Sequence, residues 1–324
     1  MKTKTSQTWP VIAVAALLAS RADAEEGGAG HYMPGGMASF IDAFPGKPGA
    51  FAVMNIFTYY DASASAGRAL PLGGFLTAGI DATAYADSLA AFYQTPWHVL
   101  GGGYAMGVAV PYLWLEVEGS AQRIGPGGVP GPVLSVRDTA NGFGDIAIYP
   151  FMLGWTNIPD LKYDLRLGIY APVGDYKVGQ LANLGKNYWT FEPGVMVSWL
   201  SSKIGTEISL YAAADFSTEN GDTDYQSGNV FHVDATIAQH LPFLGGIMGV
   251  GANGFYYEQF TGDSGPGARL GDFEGRTMGA GPVLSYVHKM GKSQLVAEAK
   301  WLPELDTKRR LEGDYIWFKL ALAF

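Results

Sequence analysis

The chain of 324 residues carries a formal charge of −9, an acidic balance that argues against nucleic acid as a partner. With 0 Cys it has neither a disulfide framework nor a thiolate metal site. Gly 45, Tyr 18, Phe 17 and Trp 8 describe a β-rich, turn-rich chain, and after residue 24 no apolar run approaches the roughly eighteen residues of a spanning helix. A membrane protein without such helices must be a closed barrel.

The N-terminus reads as a secretory signal. Lys2 and Lys4 form its positive end, Trp9 to Ala19 an apolar core, and Ala22-Asp23-Ala24 a small-residue cleavage site. A membrane anchor needs about twenty apolar residues, nearly twice that run. The expected division is therefore a signal peptide at 1–24, an N-terminal periplasmic or plug-like segment at 25–48, and an outer-membrane barrel at 49–324. The second part contains His31, Pro34 and Pro45 but no strand pattern.

Beyond it the chain alternates in about twelve segments, near 51–63, 82–95, 99–118, 143–156, 161–173, 187–201, 205–217, 229–241, 246–261, 276–289, 293–304 and 314–324. The expected fold is all-β, a transmembrane antiparallel β-barrel of about 12 strands, with 10–14 open. Short links such as Asn157-Ile158-Pro159-Asp160 and Pro242-Phe243-Leu244-Gly245 fit periplasmic turns. Longer ones at 64–81, 119–142, 174–186, 218–228, 262–275 and 305–313 fit extracellular loops. An even strand count leaves both barrel ends in the periplasm.

Parity assigns the faces. In 161–173, Tyr163, Leu165, Leu167 and Ile169 share the lipid side, while Asp164, Arg166 and Tyr170 share the lumen. The same reading turns Glu207, Tyr211 and Asp215 inward, then His232 and Asp234, with Asp145, Tyr149, Glu192, Glu298, Lys300, Trp317 and Lys319 continuing the set. A mid-strand Arg or Lys facing lipid would cost roughly 2–4 kcal/mol, so these charges belong inside. Together they are the candidate pore lining and solute path. Glu298 and Lys300 are placed to pair with Lys319 across the ladder.

The last ten residues, Tyr315 to Phe324, alternate strictly and end on Phe, which resembles the closing strand of a bacterial outer-membrane barrel. That resemblance implies a segment read by the barrel-insertion machinery, with outer-membrane lipid and lipopolysaccharide as surroundings. Several stretches resemble one family, the outer-membrane proteins associated with the meta-cleavage pathway of phenol degradation. They are His31-Tyr32-x-Pro34-Gly35, Gly144-Asp145 leading to Pro150, Tyr170-Ala171-Pro172-x-Gly174, Asn187 to Pro193, Thr261 to Ala268, and Phe273 to Arg276. The resemblance implies a passive channel or transporter for small hydrophobic, often aromatic, solutes, with no catalytic residues and no cofactor. A structural or adhesive barrel is the alternative, and a barrel enzyme a more remote one.

Letter matches to enzyme motifs lack their context. Gly262-Asp263-Ser264-Gly265-Pro266 has no His base near in sequence. Gly249-x-Gly251-x-x-Gly254 runs on into Phe255-Tyr256-Tyr257, more strand rather than a phosphate-binding helix. Asp222-Thr223-Asp224 lacks the rest of a calcium loop. The five His residues form no metal-ligand spacing, and His232 with Asp234 reads as a hydrogen-bonded neighbour pair. Pro111, Pro150, Pro172, Pro193 and Pro282 each remove a ladder donor, so each is expected to mark a bulge, a kink or a strand end. Such breaks also suggest a sideways exit for apolar cargo.

Overall fold

The computed structural model describes residues 29–72, 75–124, 130–268 and 274–324, with side chains omitted at 65–78 and 120–134. The expected signal peptide lies outside them. After a single 3₁₀ turn at Phe40–Asp42, thirteen strands follow: β1 (Phe51–Leu72), β2 (Phe75–Val99), β3 (Gly102–Ile124), β4 (Pro130–Phe143), β5 (Ile146–Ile158), β6 (Leu161–Ala171), β7 (Thr190–Leu200), β8 (Thr206–Ser217), β9 (Val230–Phe243), β10 (Gly246–Gln259), β11 (Arg276–Met290), β12 (Ser293–Lys308) and β13 (Glu312–Ala323). All are antiparallel to their neighbours, and β1 pairs with β13, which closes the cylinder.

Thirteen strands make twelve staves. β3 pairs with β4 from Tyr112 outward and with β5 from Ala109 inward, so β4 and β5 are two halves of one stave broken at Gly144-Asp145. The amide of Gly144 bonds the Pro111 carbonyl at 3.0 Å and bridges the break.

The stretches read as loops at 64–81, 119–142 and 305–313 are largely strand. Their Ala, Gly and Ser content suggests turns, but a long hairpin satisfies its backbone whatever the side-chain propensity. Beyond Ser63, β1 has only β2 as a partner, and β4 has only β3. These four strands therefore rise above the rest as a ribbon. Arg137 and Glu116 join β4 to β3 across it at 2.6 Å, both exposed, a pair worth little on its own.

At the opposite end the connections are tight. Leu100-Gly101 and Leu244-Gly245 have positive φ at both residues (52° and 77°, 44° and 75°), the two-residue hairpin geometry that matches strand twist. That end also holds Phe51 and Phe324, joined by an amide-to-carbonyl bond of 2.9 Å.

The prolines sit where the ladder fails. The β5 register slips by one residue around Tyr149-Pro150 against both β3 and β6, a bulge. Pro193 falls where β7 and β8 lose pairing between Phe191 and Gly194, and Pro282 where β11 and β12 lose it between Gly279 and Val283. Pro172 simply follows the end of β6. Outside, Leu165, Ile208, Ile237, Leu284, Phe318 and Leu320 are exposed and form part of an apolar belt. Their sequence neighbours Asp164, Glu207, Thr236, Ser285 and Lys319 are buried.

Candidate functional site: the barrel interior and its inner segment

Residues 29–45 run inside the barrel because inward-facing side chains take up their backbone polar groups, and 46–49 are exposed where the chain turns into β1. Asp234 on β9 accepts the Tyr32 hydroxyl, the Gly35 amide at 3.2 Å and the Met37 amide at 2.8 Å. Glu207 on β8 accepts the Phe40 amide at 2.7 Å, and Asp164 on β6 the Phe44 amide at 3.0 Å. Lys300 on β12 donates to the carbonyls of Gly35 and Met37, each at 3.0 Å, and Trp317 on β13 donates to that of Pro34 at 3.2 Å. Arg166 holds both oxygens of Asp164 and the Asp42 carbonyl. A segment whose regular structure is the 3₁₀ turn at Phe40–Asp42 is thus satisfied largely by the wall.

Two carboxylates and two lysines alternate along one line of this contact. Lys319 binds both oxygens of Asp42 at 2.8 and 2.9 Å and stands 3.6 Å from Glu298, which is 3.3 Å from Lys300. The pairing expected among Glu298, Lys300 and Lys319 is present, with Asp42 added from the segment. On β8, Glu207 also receives His240 at 2.7 Å.

The segment's outer end is fixed at the stave break. Asp145 accepts His31 Nε2 at 2.9 Å, the Gly174 amide at 2.9 Å and the Lys186 amide at 2.7 Å. Burial alone would raise its pKa, but His31 and the two amides outweigh that and hold it below the usual carboxylate range. Tyr32 is shifted upward, first by burial and then by the Asp234 charge, so its hydroxyl stays a donor.

His232 and Asp234 do not pair as expected. Asp234 is committed to the inner segment, and His232 turns the other way, toward Glu192 and Asp215, at 3.7 and 3.4 Å. The Tyr32 ring stacks on its imidazole with centroids 3.5 Å apart. Glu192 in turn accepts Tyr211 at 2.5 Å and Tyr170 at 3.0 Å.

Against β1, β2 and β3 the character changes. There the segment's polar contacts are Gln94 with Gly46 at 3.1 Å, and backbone bonds from Gly49 to Gln94 and from Gln94 to Ala50. The rest of this wall is small or apolar: Ala62, Ala64, Ile80, Ala86, Ala90 and Val117 are buried. A cavity of about 550 Å³ opens between it and the segment, lined by Phe40, Ile41, Phe44, Met54, Ala90, Phe92 and Ala109, with Arg166 and Lys319 on its polar side. A smaller one of about 150 Å³ lies toward the ribbon, among Tyr60, Ile80, Leu115, Leu181 and Leu311. Ile56 touches the apolar clusters on both levels.

Every expected lumen residue lies inside. Asp145, Asp164, Arg166, Glu192, Glu207, Tyr211, Asp215, His232, Asp234, Glu298, Lys300, Trp317 and Lys319 are buried, while Tyr149 and Tyr170 are half-buried. Most of them fasten the inner segment. The greasy cavity residues, Phe40, Phe44, Ala90 and Phe92, carry no such signal in the sequence, because an apolar side chain is compatible with either face of the wall.

A closed, antiparallel, twelve-stave cylinder with an apolar outer belt is a transmembrane barrel of the Gram-negative outer membrane. The chain belongs to the family described as "Putative MetA-pathway of phenol degradation", which it matches over residues 65–320. Among solved structures it is similar to a COG4313 outer membrane channel from Pseudomonas putida F1, with TM-score 0.58 and 12% identity over 87% of this chain and 98% of that one. It also matches a Pseudomonas aeruginosa FadL homologue, with TM-score 0.41 and 10% identity over 93% and 98% of the two chains. The β domain of the Bordetella autotransporter BrkA gives 0.43 and 12%, over 85% and 99%. No curated protein matches the chain.

Proposed function

We propose that this protein is a passive outer-membrane channel, not an enzyme, for small hydrophobic or aromatic solutes, which move along the apolar seam between the inner segment and the β1–β3 wall. The cavity of about 550 Å³ carries this reading. It falls within the roughly 300–1,000 Å³ of small-molecule sites and has aromatic lining with a few polar groups at one side. A single benzene-sized solute fits there without displacing the polar contacts that hold the segment. In this reading the segment is a plug fastened on its polar side, and the solute bypasses it. The bulge at Tyr149-Pro150 borders the same cavity, since Tyr149 lines it, and is where a sideways exit to lipid belongs. Outer-membrane lipid and lipopolysaccharide contact the belt, and the insertion machinery reads the strand ending at Phe324.

The test is uptake of a panel of phenols, alkanes and fatty acids by a deletion strain carrying the wild-type protein or Ala90→Phe. Ala90 is fully buried beside the cavity and faces Ala109 across the β2–β3 ladder. The ring fills the seam and is expected to cut phenol uptake several-fold with the barrel intact by heat-modified gel mobility. If Ala90→Phe does not insert, Ala109→Phe supplies the same obstruction. Unchanged uptake with a folded barrel would sink the seam as the route.

A further inference from the structure

Glu192, Asp215 and His232 come from three neighbouring strands, β7, β8 and β9, and converge on one point inside the wall. One ligand atom from each lies within 4.8 Å of the other two. The three residues are 3%, 5% and 0% exposed. His232 Nε2 stands 3.4 Å from Asp215 Oδ1 and 3.7 Å from Glu192 Oε2, and neither of its ring nitrogens makes a hydrogen bond.

Those separations are long for N–H···O bonds, whose mode is about 2.9 Å. They are close to the edge of a tetrahedron whose corners lie about 2.0–2.1 Å from a central zinc ion, which is about 3.4 Å. Charge points the same way. An imidazole that ligates a metal does so in its neutral form, so a divalent cation is the charge that would match the two buried carboxylates gathered around it. The surroundings are those of a ligand set already oriented: Tyr211 and Tyr170 donate to the two oxygens of Glu192. The Tyr32 ring, stacked on His232, covers it from the lumen.

We propose that Glu192, Asp215 and His232 form a buried site for one divalent cation of the zinc class, closed by Tyr32. One imidazole nitrogen and two carboxylate oxygens, with a fourth position for water, suit such an ion. The site spans the interruption that Pro193 makes in the β7–β8 ladder, between Phe191↔Phe216 and Gly194↔Ala213. The cation therefore staples two staves where backbone pairing is missing, directly behind the residue that anchors the inner segment.

The test uses the full-length barrel extracted from outer membranes in detergent. Elemental analysis is expected to find about one zinc per chain, and chelation to lower the thermal midpoint until zinc is restored. Cobalt(II) added to the stripped protein gives the intense visible bands of a tetrahedral site. His232→Gln and Asp215→Asn are each expected to weaken cobalt binding roughly tenfold or more. His240→Gln, at the separate pair with Glu207, leaves it unchanged. Wild-type protein that retains no metal and gives no cobalt bands overturns the proposal, and the cluster is then an ion pair of protonated His232. Cobalt bands that survive His232→Gln overturn the assignment to these residues.

Discussion

Lys319 shows what a single inward side chain does. Its ammonium donates to both carboxylate oxygens of Asp42 and lies beside Glu298, all three residues being buried. Replacing it by Met leaves Asp42 without its cation in a low-dielectric interior and Glu298 with Lys300 alone, and breaking such a buried pair typically costs about 3–5 kcal/mol. Lys319→Met is therefore expected to lose stability of that order in urea titration of the refolded barrel, whereas Lys308→Met, on an exposed position at the end of β12, changes it by less than about 0.5 kcal/mol. The inward placement of Lys319 follows from period two alone. Its partner Asp42 does not, because nothing local in the segment states which strand it will meet.

At the scale of elements, the inner segment is fixed to β6–β9 and β12–β13 but barely to β1–β3. Deleting residues 28–44 removes its contacts to Asp234, Glu207 and Asp164 and leaves the strands complete. Single-channel conductance in planar bilayers is expected to rise by severalfold, and an unchanged value would mean the segment does not limit ion flow. Strand identity and the inward set were readable because alternation is local. The ribbon formed by the outer halves of β1, β2, β3 and β4 was not. In 64–81 and 119–142 small residues and glycine hide the pattern, and what makes them strands is mutual pairing, such as Ser63 with Asp81 and Glu118 with Arg137. The convergence of Glu192, Asp215 and His232 was hidden for a related reason: it depends on the register of three strands, which no single strand states.

For the whole molecule, the anchor at His31 makes the interior sensitive to acid. Asp145 lies in the break between β4 and β5, outside the spanning segments, and its pKa is depressed. A depressed carboxylate contributes stability that is present above its unfolded pKa of about 3.9 and is lost as pH falls through the folded value. Conductance is therefore expected to be flat from neutral pH to about 5 and to rise below about 4 as the outer end of the segment loosens. Asp145→Asn is expected to remove this dependence and show the raised conductance at neutral pH. A wild-type acid response that persists in that variant would place the sensitive group elsewhere.

The cylinder is shut by the ladder between β1 and β13, whose last rung joins Phe324 to Phe51. Those strands lie at opposite ends of the barrel sequence, so this pairing closes the longest loop the fold contains and is among the last to become favourable during folding. The inner segment is continuous with β1 and passes beneath residues of β12 and β13. It must lie against Asp234 and Lys300 before the final edges zip, because a finished wall gives it no sideways entry. Assembly is thus a wrapping rather than a threading, and the order of events is written into where the two edges meet.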